Sequence, residues 1–152
     1  MCAESPSEIR PLRDGAQIIH ASCVATGGKA VVILGPSGAG KSALALQLMA
    51  LGAQLVADDR TVLHQDGPDI WASSPDSIRG MIEARGIGIL TAQPCTRARV
   101  HLVVDLARSE TDRLPPLRHY SLFDQQRPLL YRVAAAHFPA AIIQFLKGGR
   151  QA

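Results

Sequence analysis

Residues 35–42 read Gly35-Pro36-Ser37-Gly38-Ala39-Gly40-Lys41-Ser42 and fit the pattern G-x-x-x-x-G-K-[ST] at every fixed position. This is the pattern of a P-loop, in which glycines let successive backbone N–H groups converge on a phosphate. An apolar, β-branched run at 30–34 precedes it and predicts a buried strand. Strong helix formers at 43–51, closed by Gly52, predict a helix after it. The sequence therefore predicts a phosphate site between a strand and a helix.

All eight residues of this motif, 35–42, are predicted to bind nucleotide. Lys41 supplies a mobile positive charge for the terminal phosphates, and Ser42 offers its hydroxyl to the magnesium ion that accompanies them. The start of the helix adds the positive end of its dipole. The motif specifies a nucleotide phosphate, but it does not specify the reaction.

Composition narrows the class of protein. The 152 residues are 47% hydrophobic and 19% charged, which is typical of a globular chain. The net charge of +3 comes from basic residues that form no block and do not alternate with aromatics, so nucleic-acid binding has little support. The polar N-terminus contains no signal peptide, and no apolar run approaches the length of a membrane span. We expect a cytoplasmic protein without membrane association, with a lead-in at 1–13, one catalytic domain at 14–147 and a tail at 148–152.

A strand is expected at 17–24, ahead of the P-loop strand. The glycine pair at 27–28 joins the two and predicts a β-hairpin. His20 then lies on the strand beside the P-loop strand. A single histidine on a strand is more often structural than catalytic.

Two adjacent acids follow the strand predicted at 54–57. Asp58 and Asp59 resemble the metal- or water-binding strand end of a P-loop enzyme. Because side chains alternate along a strand, they cannot both face one site unless the backbone bends. One acid should face the phosphates, and the other should support the loop or bind through metal-held water. The alternative is a solvated turn.

A second charged group is expected at Glu83 and Arg85, which are two residues apart and so share a strand face. Gly86 and Gly88 favour close approach of a ligand or of another backbone. The glutamate suits magnesium and the arginine suits phosphate. The alternative is a surface ion pair of little energetic value.

The C-terminal half carries fewer signals. A strand is predicted at 100–106 from its β-branched content, and a polar connection at 108–118. The composition of 131–146 predicts a helix that breaks, or starts anew, at Pro139.

The order of these motifs resembles the catalytic domain of HPr kinase/phosphorylase. The matching positions are His20, the P-loop, Val56 to Asp59, and Ile82 to Ile89, the last being the signature of that family. The resemblance implies an α/β fold, namely a P-loop domain of the PEP carboxykinase-like type with a mixed β-sheet and flanking helices. It also implies ATP and Mg²⁺ as cofactors, and phosphoryl transfer to a serine of the phosphocarrier protein HPr, with the reverse reaction by phosphorolysis.

The resemblance also implies roles for individual residues. Asp58 would be the base that takes the serine proton, and His20 would hold and tune Asp58. Arg85 would stabilise the transferring phosphoryl group. The implied ligands of magnesium are Ser42, Asp59 and Glu83.

The chain departs from the family after Leu90. The glycine-rich loop and the P-V-R-P-G-R-N segment of the family have no good match at 91–99 or 114–118, and the chain resembles the short alphaproteobacterial form. A homo-oligomer is left open. Two other functions also stay open, a small-molecule kinase or PEP carboxykinase relative, and a non-catalytic module that uses ATP as a switch.

Overall fold

The computed structural model describes residues 15–152, so the lead-in expected at 1–13 lies outside the described residues. The strands are β1 (Gln17–Ile19), β2 (Ala21–Thr26), β3 (Lys29–Leu34), β4 (Gln54–Ala57), β5 (Thr61–Asp66), β6 (Asp69–Ser73), β7 (Met81–Ala84), β8 (Gly88–Thr91), β9 (Arg97–Ser109), β10 (Arg118–Leu122) and β11 (Gln125–Arg132). The helices are α1 (Lys41–Ala50) and α2 (Phe138–Gly148), with a short 3₁₀ turn at Asp76–Ile78.

One mixed sheet of nine strands organises the described part of the chain. Its main order is β1-β5-β6-β9-β3-β2-β4, and β11 and β10 extend from β9. The P-loop strand β3 is central, since it pairs in parallel with β9 and antiparallel with β2. Strands β7 and β8 form a separate hairpin. This mixed sheet with flanking helices confirms the predicted fold class.

The central strands are buried on both faces. In β3, Val31 and Ile33 pack with Leu48 of α1 and Ile142 of α2 in one cluster. The intervening Val32 packs on the opposite face, in a second cluster of buried apolar side chains. Both helices therefore cover the same face of the sheet, and the start of α1 lies at the edge where β3 ends.

Several local predictions are confirmed. Strands β2 and β3 form the expected hairpin, with Thr26 opposite Lys29. Helix α1 follows the glycine loop, and Pro139 lies in the first turn of α2, as its fixed φ favours. Neither helix in the described part is long and apolar enough to cross a membrane.

Other local predictions are wrong. The strand expected at 17–24 is interrupted by a bend at His20. Strand β9 continues to Ser109, into the segment expected to be a connection. Tyr131 and Arg132, expected in a helix, end the strand β11, because both residues pair with β9 instead.

Candidate active site

The P-loop spans the turn between β3 and α1. Gly35 has a φ of 153°, and a Cβ at this position would lie 3.0 Å from the Cβ of Ala39 and 3.3 Å from that of Leu106. Gly40 adopts a left-handed conformation, with a φ of 99°, as the N-cap of α1. Glycine is thus required at both ends of the turn, by backbone conformation at each and by space at Gly35.

Lys41 points its ammonium group back into this loop. Its side chain is buried, and Nζ donates to the carbonyl oxygens of Gly35 at 2.8 Å and of Pro36 at 3.2 Å. The positive end of the α1 dipole lies at the same turn. The loop therefore concentrates positive charge where the motif is expected to receive phosphate.

Asp58 connects the P-loop with two other elements. It is only 8% exposed. Its Oδ1 accepts hydrogen bonds from Ser42 Oγ at 2.6 Å and from Ser22 Oγ at 2.8 Å, and its Oδ2 accepts one from the backbone N–H of Glu83 at 3.0 Å. The carboxylate thus ties the start of α1 to β2 and to the β7–β8 hairpin.

Asp59 turns away from this carboxylate. Strand β4 ends at Ala57, and Asp59 has a φ of 64°, in the left-handed region that aspartate tolerates. Its Oδ1 lies 2.7 Å from Nε2 of His20, and the two side chains are 59% and 51% exposed. The two carboxylates therefore have different partners, and because the strand ends before them, the turn of the backbone sets their directions.

The partner of His20 differs from the expectation. The resemblance implied a contact between His20 and Asp58, whereas His20 contacts Asp59 and Asp58 is bonded to Ser42. The bend at His20 and the left-handed turn at Asp59 bring these two exposed side chains together.

Glu83 and Arg85 belong to the β7–β8 hairpin. Glu83 lies in β7 with an exposed side chain, and Arg85 lies in the turn that follows, so the two do not share a strand. Both line a groove of about 340 Å³ formed by residues 83–89. The backbone bond from Glu83 to Asp58 brings this hairpin next to the P-loop helix.

Sequence reasoning missed two residues that contact the site. Ser22 is fully buried, donates to Asp58 and accepts a bond from the backbone N–H of Asp59 at 3.1 Å. A hydroxyl among the otherwise apolar buried residues 21–25 was the available signal. Arg132 reaches the P-loop through a bond to the carbonyl oxygen of Ala39, and the helix expected at its position concealed it.

The oxygen donors at Ser42 fit a magnesium ion that arrives with a nucleotide. Within 15–152, no three His, Cys, Asp or Glu side chains gather into a metal cluster. Magnesium is generally held by one or two carboxylates together with substrate phosphates and water, so a protein cage is not required. Ser42 and Asp58 supply an adjacent hydroxyl and carboxylate. Asp59, expected among the ligands, contacts His20 instead.

Similarity to known proteins agrees with this geometry. A family model described as the HPr Serine kinase C-terminal domain matches residues 14–116. The HPr kinase/phosphorylase of Caldanaerobacter subterraneus subsp. tengcongensis is 48% identical over 73 residues, which are 47% of this chain and 24% of the relative. That of Bacillus cytotoxicus is 38% identical over 96 residues, 58% of this chain and 31% of the relative. The matched part is therefore less than a third of the length of either relative.

A solved structure shows the same fold. The structure of the Hpr(Ser) kinase/phosphatase from Coxiella burnetii superposes with a TM-score of 0.72 at 25% identity, covering 86% of this chain and 94% of that one. The family model also spans well over half of the chain, including the P-loop, both aspartates and the β7–β8 hairpin. The chain belongs to the HPr Serine kinase C-terminal domain family.

Proposed function

We propose that this domain is a kinase that transfers a phosphoryl group from ATP to a serine hydroxyl of an HPr-type phosphocarrier protein. The observation that carries the proposal is the exposed Asp59–His20 pair beside a P-loop that holds Lys41 and Ser42. Phosphoryl transfer depends mainly on positioning and charge neutralisation around a base and a metal. These groups provide each of those parts.

The P-loop binds the ATP phosphates in this proposal. Lys41 exchanges the carbonyl oxygens of Gly35 and Pro36 for phosphate oxygens. Ser42 and Asp58 hold Mg²⁺, which when bound neutralises charge on the phosphates. Because the ammonium and the hydroxyl already lie at the loop, little rearrangement is required.

Asp59 is the proposed base. Its carboxylate is exposed to a substrate and is oriented by His20, whereas Asp58 is only 8% exposed. The serine oxygen attacks the γ-phosphorus as its proton passes to Asp59, and the bond to the ADP oxygen breaks. This exchanges the roles that the resemblance implied for the two aspartates.

The β7–β8 hairpin favours a protein substrate over a small molecule. Its exposed side includes Met81, Ile87 and Ile89, next to Glu83 and Arg85. A protein can cover such an apolar surface during the reaction, and a small metabolite cannot. We place Arg85 at the transferring phosphoryl group, and Glu83 beside it at the metal.

The reverse reaction follows from the same groups. In it Asp59 returns the proton to the serine oxygen while inorganic phosphate takes the phosphoryl group and forms pyrophosphate. The names of the relatives, kinase/phosphorylase and kinase/phosphatase, support both directions. ATP and a phosphocarrier substrate together place the reaction in the cytoplasm.

The test uses the full chain with ATP, Mg²⁺ and HPr. We expect serine phosphorylation, and pyrophosphate when phosphate is added to the phosphorylated product. Asp59→Asn should lower kcat by about 10²- to 10⁴-fold, the usual contribution of a general base, while the Kd for ATP stays within about twofold. Asp124→Asn is the matched control, because Asp124 is also exposed and left-handed, with a φ of 60°.

Four results would contradict the proposal. Full activity of the Asp59→Asn variant would remove Asp59 from the role of base. ATP consumption that does not depend on HPr, or label recovered on histidine in place of serine, would replace the proposed substrate. ATP binding that HPr never converts to turnover would instead favour the regulatory module.

A further inference from the structure

Arg132 lies at the end of β11, beside the P-loop. Its Nη2 donates to the carbonyl oxygen of Ala39, and its Nε donates to that of Leu106 at 3.3 Å. Leu106 is also the residue whose Cβ would lie 3.3 Å from a Cβ placed on Gly35, the first residue of the P-loop. One guanidinium therefore links Leu106 in the sheet with Ala39 in the phosphate loop.

An irregularity in the sheet places Arg132 there. In the parallel pairing of β11 with β9, Tyr131 faces Asp105, but Arg132 faces Ser109. The residues between 105 and 109 leave the regular ladder, so the carbonyl oxygen of Leu106 is available to Arg132. Such bulges commonly redirect a side chain next to an active site.

The backbone of Arg132 is held as well. The N–H of Glu110 donates to the carbonyl oxygen of Arg132 at 2.8 Å. The Glu110 carboxylate accepts two bonds from Arg118, from Nε at 3.2 Å and from Nη2 at 3.1 Å. Because its backbone and the neighbouring Glu110 are held in this way, the side chain of Arg132 extends to the P-loop from a fixed position.

The bond to Ala39 fixes a peptide plane of the loop. The peptide bond between Ala39 and Gly40 is trans, so its carbonyl and its N–H point in opposite directions. With the carbonyl held by Arg132, the Gly40 N–H points away from the guanidinium. Gly40 has no side chain to restrict its backbone, so this external bond stabilises the orientation.

We propose that Arg132 is a positioning residue of the P-loop, which orients the Gly40 N–H towards a nucleotide phosphate. The proposal rests on the nucleotide site proposed above. It concerns the phosphate chain, because the backbone N–H groups of a P-loop cradle the α- and β-phosphates. Adenosine should then depend little on Arg132, and ADP and ATP should depend on it strongly.

The experiment measures the Kd of adenosine, AMP, ADP and Mg²⁺-ATP by calorimetry, without HPr. The variants of the full chain are Arg132→Gln and Arg132→Lys. The matched control is Arg127→Gln, because Arg127 lies on the same strand and also donates to carbonyl oxygens distant in sequence, those of Val100 at 3.0 Å and of Pro68 at 2.8 Å, without a described bond to the P-loop.

We expect Arg132→Gln to weaken the binding of ADP and ATP by about 10-fold or more, which is the effect of losing a charge-assisted contact. The Kd of adenosine should change less than about twofold. Arg132→Lys should recover only part of this loss, since a lysine lacks the planar fork that bridges two carbonyl groups. Arg127→Gln should bind every nucleotide as the wild type does. If Arg132→Gln does not fold, the lysine variant carries the test.

Equal ADP affinity in the wild type and the folded Arg132 variants would overturn the inference and leave the proposed function intact. An equal loss for adenosine and ATP would also overturn it, because a general distortion of the domain would then explain the effect. A wild-type chain that binds no ATP would overturn both proposals.

Discussion

Replacing Asp58 by asparagine should destabilise the domain even when no nucleotide is present. The carboxylate accepts bonds from two hydroxyls, of Ser42 and Ser22, and from the backbone N–H of Glu83. Asparagine has the same shape but presents one amide nitrogen, a donor, in place of an acceptor oxygen. Every bond to the charged group becomes a neutral one or is lost.

The magnitude follows from these three contacts. A hydrogen bond to a charged group contributes about 1.5–3 kcal/mol and a neutral one about 0.5–1.5 kcal/mol. The loss is thus about 1 kcal/mol for each of the three bonds, and about 2–3 kcal/mol in total because partial relaxation is expected. For a domain of this size each kcal/mol lowers Tm by about 2–4 °C, so Asp58→Asn should lower Tm by about 4–12 °C.

Asp59→Asn is the paired control. Its only side-chain partner among the described contacts is His20, and both side chains are more than half exposed, so the pair is worth about 1 kcal/mol or less. Thermal unfolding followed by circular dichroism, without nucleotide, should therefore separate the two variants by several degrees. Equal Tm values for the two variants, or a larger loss for Asp59→Asn, would refute the assignment of Asp58 as the structural connection.

Two further predictions concern the P-loop and the ion pair between Glu110 and Arg118. Gly35→Ala should weaken ATP binding at least about 10-fold, because the new Cβ would meet Ala39 at 3.0 Å and the φ of 153° is essentially restricted to glycine. Gly27→Ala, a left-handed position with open space, should leave the Kd for ATP unchanged in the same titration. The bonds from Arg118 hold the pKa of Glu110 below its ordinary value, so this pair stabilises the fold above about pH 4.3 and the benefit is lost as pH falls through the lower folded pKa. The Tm difference between the wild type and Glu110→Gln should therefore shrink between pH 6 and pH 3, and a constant or growing difference would contradict this reading.

The sequence predicted those features that depend on residues close together in the chain. The P-loop is a short motif flanked by its own strand and helix, and the hairpin before it is marked by two glycines at the turn. Pro139 likewise predicted the first turn of α2. In each case the residues that decide the conformation are neighbours in the chain.

Strands β10 and β11 could not be predicted in this way. Their turn places Phe123 and Asp124 at positive φ without a glycine, and Pro128 within β11 lacks the N–H that a ladder uses. The residues that follow Tyr131 include a run of alanines, and this composition favours a helix. Pairing with β9, which is distant in sequence, decides the outcome, and Arg132 reaches the P-loop only as a result.

The two aspartates show the same limit within the site. Alternation along a strand predicted that they diverge, but not which one would contact the P-loop. That choice depends on the left-handed backbone at Asp59 and the bend at His20, neither of which has a glycine or proline to mark it. Because aspartate tolerates the left-handed conformation, the sequence does not indicate that the backbone turns at this position.

The partners of Lys41 and Asp58 indicate why the site keeps both charges. The lysine donates to two neutral carbonyl oxygens, and the aspartate accepts from two hydroxyls and an amide N–H. Among the described salt bridges, the two do not pair with each other, so neither charge is cancelled inside the protein. If they had paired, nucleotide binding would first have to break an ion pair in which Asp58 is only 8% exposed. In the proposed site, neutral partners would leave the positive loop for the phosphates and the carboxylate for magnesium, so that a metal–nucleotide complex would meet both complementary charges at once.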